Sequence, residues 1–431
     1  MVIVVGAGPA GSVAARTLAR AGVPVTMLER AAAFPRNKPC GGGISMRALR
    51  RFPWLEPALE RIPTQRISRL RLEGPDGDTA IVTSDEPAVL TVRRVDFDAL
   101  LVDEAVAAGA RLVTGVDIVR VSTLTNGVAL ESRDGRRFEA SMVIAADGVH
   151  SIVARRLGIN PGWSAGAVAV DMMEETPREA LAADDQTLWV SYGYGGRAAS
   201  DGETTRAAEG YAYVFPKRDH VNVGIGYVLD YFRRDVATKP YDLHRAFVAR
   251  LRERGIVTGD SVRENFTPFI IPIGGPLRCP GRGRLLLAGD AGGFVNGFTA
   301  EGIFYAMVTG ELAATAAIDT SVDNIATLAS RYRRACEREV GIELRDSVRV
   351  QRYLFADRRR IARVVAAARS DPDATRLLLD YAMGRASYLE VRRRIVMRAP
   401  MVALRLLLQR SGRSLPGRRQ AATMAIPSGR A

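Results

Sequence analysis

Residues 2–30 read VIVVGAGPAGSVAARTLARAGVPVTMLER, and the order of apolar run, glycines and closing acid in this stretch decides the fold. Val2 to Val5 form a continuous apolar run, the pattern of a parallel strand buried on both faces. Gly6, Gly8 and Gly11 complete G-x-G-x-x-G directly after it. The first glycine permits a tight turn, the second lets a pyrophosphate approach the backbone, and the third lets a helix pack closely on the strand. Residues 12–21 have helical composition and stop at Gly22, a C-cap. A second strand closes at Glu29, 18 residues past Gly11, where a carboxylate can accept bonds from an adenosine ribose hydroxyl. These features together predict a dinucleotide-binding βαβ unit. Packing alone would explain the glycines, but it would not require Glu29.

Outward from this unit, a Gly- and Pro-rich loop spans residues 35–45, and alternating apolar patterns recur near 67–92 and 116–140. A helix is predicted around 96–108, and MVIAADG (142–148) reads as another buried strand. From about 164 to 275 the chain is strand-rich, with aromatics and glycine, the composition of an antiparallel sheet. GRLLLAGDAGG (283–293) returns to buried-strand character, and a long helix follows from about 301. The chain then reads as helical to near 410, with a Ser-, Gly-, Pro- and Arg-rich end. The predicted class is α/β: a discontinuous Rossmann-type domain (1–65, 94–160 and 278–330) with an inserted antiparallel-sheet domain (66–93 and 161–277). A C-terminal helical region (331–410) and a disordered tail (411–431) follow.

Composition narrows the function. Three scattered cysteines among 431 residues argue against a disulfide framework and point to a reducing compartment. They are too few for a four-cysteine iron–sulfur cluster. His150, His220 and His244 fall into no ligand spacing, so no metal site is expected. The chain opens on an apolar strand without a basic leader, which predicts a cytoplasmic protein. Net charge is +14, and from Arg358 onward 17 basic residues face 4 acidic ones. This basic tail alternates arginine with Leu, Val, Ile and Met instead of stacking aromatics. An anionic membrane surface is therefore the expected partner, and nucleic acid is not. Within Val391 to Arg410, Arg394, Arg398 and Arg405 share one helical stripe, while Val391, Ile395, Val402 and Leu406 share another. Broken by arginines and Pro400, the segment should not cross a bilayer; it reads either as a helix lying in the interface or as a terminal helix packed on the domain with a wet basic face.

The later motifs carry a family resemblance. Ala146-Asp147-Gly148 and Gly289-Asp290-Ala291 resemble the downstream fingerprints of FAD-dependent proteins of the aromatic-hydroxylase fold. In those proteins the second aspartate bonds the ribityl chain, and the following helix, opened here by Gly302 and Ile303, points its N-terminus at the flavin. Within that superfamily the chain resembles the geranylgeranyl reductases. KPCGGGIS (38–45) resembles their Cys-Gly-Gly loop, and Arg94 to Leu100 resembles their R-x-x-F-D-x-x-L segment, whose arginine contacts cofactor. Tyr211, Phe215, Pro216, Gly224 and Gly226 match Y-x-W-x-F-P followed by G-x-G, with Tyr213 in place of Trp. GDAGGFVNGFTAEGI (289–303) follows the family pattern with Gly297 for Pro and Ala300 for Gly.

The resemblance implies an FAD-binding set of Gly6, Gly8, Pro9, Ala10, Gly11, Glu29, Arg30, Cys40, Gly41, Gly42, Arg94, Asp147, Gly148, Gly289, Asp290, Gly302 and Ile303. It implies a catalytic set of Cys40, Tyr211, Tyr213 and Phe215. Cys40 would shape the pocket or donate a proton over the flavin, or else simply fill space. An ordinary thiol is too weak an acid to protonate an isolated alkene unaided. Tyr211, Tyr213 and Phe215 share one strand face, which suits core packing or an apolar substrate pocket, whereas Lys217 and His220 read as solvated turn residues. The implied activity is reduction of isolated C=C bonds in a prenyl chain by hydride from reduced flavin. A monooxygenase or halogenase of the same fold, or a membrane-docking electron-transfer flavoprotein, are the alternatives. No second G-x-G-x-x-G is present, so electrons would come from NADPH bound transiently or from reduced ferredoxin.

Overall fold

The computed structural model describes residues 1–194, 209–236, 238–320 and 322–397. Its central sheet has six strands in the order 281–282, 285–287, 142–145, 2–5, 25–28 and 111–113. All neighbours run parallel except the short strand Gly281–Arg282. Val2 and Val4 face the helices Pro9–Arg20 and Ile303–Ile318, while Ile3 and Val5 face a three-stranded sheet spanning residues 118–140. Both faces of the strand are covered, which is why its sequence is apolar without alternation. The helix after the first strand reaches further than its composition indicates, since it opens at Pro9 with Gly8 as its N-cap. A Cβ on Gly11 would lie 1.9 Å from the Gly6 carbonyl oxygen, so the helix can sit this close only over glycine.

A second sheet of seven strands follows the order 266–272, 168–177, 220–228, 210–216, 187–192, 69–73 and 79–83. The expectation of a purely antiparallel sheet is corrected at one seam, where Thr187–Tyr192 pairs parallel with Arg69–Glu73. The hairpin at residues 69–83 comes from far upstream and joins the sheet edge in that direction. Sequence reading also missed the helix Pro240–Glu253 inside this region. Its Phe247, Val248 and Leu251 cover one sheet face, against Val214, Val223 and Ile225.

The opposite face presents Asp171, Tyr211, Tyr213, Phe215 and Gly224 toward the nucleotide-type half. The helices Ile342–Phe355 and Arg358–Ser370 cap one end of it, where Leu354, Phe355, Ile361 and Val365 pack with Tyr192, Tyr211 and Phe298. Met1–Arg385 is one compact unit and Ala386 begins another. In the second, residues 388–397 are helical. The predicted interfacial segment beyond Met397 and the predicted disordered tail lie outside the described residues.

Candidate active site

At the first turn, the helix opening at Pro9 has no side-chain cap and no acid in its first turn, so its N–H groups and positive dipole end are free for an anion. A Cβ on Gly8 would meet only Arg36 Nη2, at 3.5 Å, leaving the approach to the backbone open. Glu29 is buried and accepts from the backbone N–H of Ala7 and of Ala31, both at 2.9 Å. Each of its oxygens keeps a lone pair for a ribose hydroxyl. Arg30 beside it is exposed.

Arg94 already has a partner inside the protein. It is buried and holds Asp98 through two bonds, at 2.7 and 3.0 Å. Arg36, which sequence reading passed over, reaches the same Asp98 at 3.0 Å and Glu29 at 3.7 Å, so it ties the Gly-rich turn to the helix Arg94–Ala107.

Two further aspartates have spare acceptor capacity. Asp147 Oδ2 accepts from Ile152 N–H at 2.8 Å and Val153 N–H at 3.3 Å, whereas its Oδ1 is buried without a partner. Burial pushes its carboxyl up. Asp290 accepts no hydrogen bond from a described residue, and burial raises it as well, against the opposing charges of Lys38 and Arg94. The neighbouring Gly289 N–H is held by Thr309 Oγ1 at 3.0 Å. Beyond it, the helix Ile303–Ile318 opens at N-cap Gly302 with neither side-chain cap nor acid in its first turn. An orphaned acceptor, an unbonded carboxylate, an open glycine and two uncapped helix ends are what a bound FAD would complete.

The Cys40 loop packs against the second sheet. A Cβ on Gly41 would lie 2.9 Å from the Phe215 ring and 3.6 Å from that of Tyr213, so only glycine lets the loop approach this closely. Asn222 Nδ2 donates to the Cys40 carbonyl at 3.4 Å, and the Gly42 N–H points at the Cys40 sulfur, also at 3.4 Å. Lys38, another residue not singled out from sequence, places Nζ 2.9 Å from the Phe269 ring centroid. Burial and the Arg94 charge lower its ammonium to about 8. Lys217 corrects the solvated-turn reading: it is fully buried, ion-paired to Glu175, and its Nζ lies 3.0 Å from where a Gly42 Cβ would stand. His220 is half-buried, with Nδ1 3.1 Å from Asp219.

The three aromatics of the strand Gly210–Pro216 do share one face. Ring centroids lie 4.6 Å apart for Phe215–Tyr213 and 6.2 Å for Tyr213–Tyr211. The line continues through Tyr192 at 5.8 Å, Phe298 at 5.8 Å and Phe355 at 5.7 Å. An apolar, aromatic track thus runs from the Cys-Gly-Gly loop to the C-terminal helices. Tyr211 satisfies its hydroxyl on the Thr299 carbonyl at 2.6 Å.

Fold and cradle together define an FAD-dependent oxidoreductase built on a Rossmann-type core. Comparison with known proteins agrees and narrows the class. The family described as "FAD binding domain" matches residues 1–218. The chain is 30% identical over 365 residues to digeranylgeranylglycerophospholipid reductase 2 of Methanothermobacter thermautotrophicus, covering 82% of this chain and 87% of that one. It is 32% identical to the menaquinone reductase of Mycolicibacterium smegmatis, covering 73% and 75%. Among solved structures, a geranylgeranyl bacteriochlorophyll reductase-like protein from Thermoplasma acidophilum superimposes with a TM-score of 0.73 at 20% identity, covering 91% of this chain and 98% of that one. The chain belongs to the geranylgeranyl reductase family of FAD-dependent flavoproteins.

Proposed function

We propose that this protein reduces isolated C=C bonds in the prenyl chain of a lipid. The observation that carries the reading is the aromatic track, which begins against the Cys-Gly-Gly loop and is long and apolar enough to align an isoprenoid. The name of one relative, a digeranylgeranylglycerophospholipid reductase, specifies a geranylgeranyl lipid as what is reduced, which supports this substrate class.

Bound FAD, once reduced, supplies the hydride. The protein's own part is positioning and charge control, because an isolated alkene offers no carbonyl to polarise. Gly6, Gly8 and Gly11 with Glu29 hold the adenosine and pyrophosphate end, and Asp147 and Asp290 take the remaining polar groups. The uncapped N-terminus of the helix at Gly302 and Ile303 would favour negative charge on a bound cofactor. Cys40, Tyr211, Tyr213 and Phe215 line the alkene and exclude water. Electrons arrive from NADPH bound transiently or from reduced ferredoxin; anaerobic mixing with each donor identifies the one that bleaches the flavin.

Burying a CH₂ is worth about 0.8 kcal/mol from water, but a bilayer offers a prenyl chain the same environment. Drawing substrate directly from a membrane surface avoids an aqueous transfer. Val350 and Tyr353 on the helix Ile342–Phe355, and Val364 on Arg358–Ser370, are 44%, 61% and 49% exposed. Arg352, Arg359 and Arg363 are exposed among them, an arrangement that suits docking on anionic lipid, with the aromatic track directly beneath.

The test is anaerobic incubation of reduced, FAD-loaded protein with geranylgeranyl lipids, followed by mass spectrometry. Products heavier by two hydrogens, or multiples of two, are expected. A product that forms only with oxygen and carries an added oxygen atom would overturn the reading in favour of a monooxygenase.

A further inference from the structure

The prenyl-reductase reading leaves open where the proton for the second alkene carbon comes from. Among the described residues the Cys40 sulfur is met by the Gly42 N–H at 3.4 Å, and no carboxyl bonds it that could recharge it.

Another acid stands beside it. Tyr213, on the face turned toward the Cys40 loop, donates its hydroxyl to Asp171 at 3.0 Å (Oδ2) and 3.3 Å (Oδ1). Tyr213 is 5% and Asp171 7% exposed, and among the described residues no cation lies within ion-pair distance of that carboxylate. The pair is built into the sheet. Asp171 sits opposite Gly226 on one side and Phe269 on the other, and Tyr213 opposite Gly224. A Cβ on Gly224 would lie 2.3 Å from the Tyr213 hydroxyl, so that glycine makes the room in which the phenol reaches the aspartate.

We propose that Tyr213 and Asp171 are the proton supply for alkene reduction, with Tyr213 as the catalytic acid and Asp171 as the positioning residue that recharges it. The hydride pair from reduced flavin forms one C–H bond, and the proton of the Tyr213 hydroxyl forms the other as the π bond breaks. The phenolic oxygen takes the proton of the Asp171 carboxyl, and the resulting carboxylate regains one from water between turnovers. Tyr213 stands where the family pattern has Trp, whose indole N–H could not relay a proton in this way, so the relay belongs to this chain's own residues.

The surroundings fit a carboxyl that stays loaded at neutral pH. Burial raises Asp171 to about 7, opposed by the Tyr213 hydrogen bond and the Lys38 charge. Facing groups are Lys38 from the loop side and Tyr213 from the neighbouring strand. Tyr213 itself feels Asp171, Cys40 and Tyr211, and burial pushes its phenol well up, so it donates only as it accepts from Asp171. Gly226 and Phe269 bring no charge.

This inference rests on the prenyl-reductase reading, and its test separates the two. Turnover of prenyl lipid by the FAD-loaded protein is measured from pH 5 to 9, at roughly one-unit steps bracketing a carboxyl near 7. Wild-type kcat is expected to fall as pH rises through about 7, where Asp171 loses its proton. Asp171→Asn and Tyr213→Phe should lower kcat by about 10²-fold with KM little changed, and Asp171→Asn should lose the alkaline limb. Infrared spectroscopy supplies a readout independent of turnover. A neutral-carboxyl band present near pH 6 should be absent in Asp171→Asn, and in Tyr213→Phe it should titrate at higher pH, because the hydrogen bond that favours the carboxylate is gone. An Asp171→Asn protein that binds FAD and keeps the wild-type rate and pH profile overturns the proposal. A wild-type protein that shows the band but reduces no prenyl lipid overturns the functional reading instead.

Discussion

Ala300 occupies the left-handed region at φ 55°, the position where the family pattern places glycine. An L-residue there costs about 1–2 kcal/mol, while glycine costs about 0.4–1 kcal/mol through the unfolded chain. Ala300→Gly is therefore expected to stabilise the protein by up to about 1.6 kcal/mol, read as a rise in melting temperature. Gly224 argues the other way. Gly224→Ala would drive a methyl into the Tyr213 ring, so a loss of about 1–3 kcal/mol is expected from overpacking, seen as an earlier denaturation midpoint. Glu29 binds two backbone N–H groups with one oxygen each. Glu29→Gln turns an amide donor toward one of them, and FAD affinity in a fluorescence titration should fall at least tenfold.

At the scale of elements, the site is a meeting of loops with a sheet face. Lys217 shows what that meeting costs. It opens the turn after the strand Gly210–Pro216 and is buried under Gly42, 175 residues away in the chain. Removing one partner of a buried ion pair leaves the other uncompensated, at about 3–5 kcal/mol. Glu175 keeps some relief from Arg93 at 3.6 Å, which places Lys217→Met at the lower end of that range. Lys217→Met with Glu175→Gln should recover part of the loss in chemical denaturation, because the uncompensated carboxylate is gone, with Arg93 giving up its 3.6 Å partner in exchange. Arg36, Asp98 and Arg94 act similarly on the nucleotide side, joining the Gly-rich turn to the helix that begins at Arg94. These residues were not legible as a group in the sequence. Arg94 was noted only as a cofactor contact, and its bonds to Asp98 depend on how the helix lies.

At the scale of the whole molecule, the C-terminal helices have two faces, and the proposed function gives each a use. Their inner apolar residues close the aromatic track, and their outer face carries Val350, Tyr353 and Val364 among arginines. No described helix is long and apolar enough to cross a membrane, so association through this face would be peripheral. Arg352→Glu, Arg359→Glu and Arg363→Glu together should abolish flotation with anionic vesicles. Turnover of a detergent-solubilised lipid should survive, whereas turnover of the same lipid presented in vesicles should fall. Added salt should weaken wild-type binding, since exposed charges are screened within about 10 Å at 0.1 M.

The nucleotide-binding half was readable because each of its signals is local. A strand buried on both faces must be apolar throughout, a helix seated on a turn needs glycine within a few residues, and Glu29 closes the adjoining strand. The same locality made the aromatic face of residues 211–215 visible, since alternate residues of a strand share a side. Only the tertiary structure decided that Lys217 is buried, that residues 69–83 enter the second sheet through a parallel seam, and that Asp171 meets Tyr213. Those facts depend on which distant segments exclude water from one another, and burial by a remote partner leaves no period or motif in the chain.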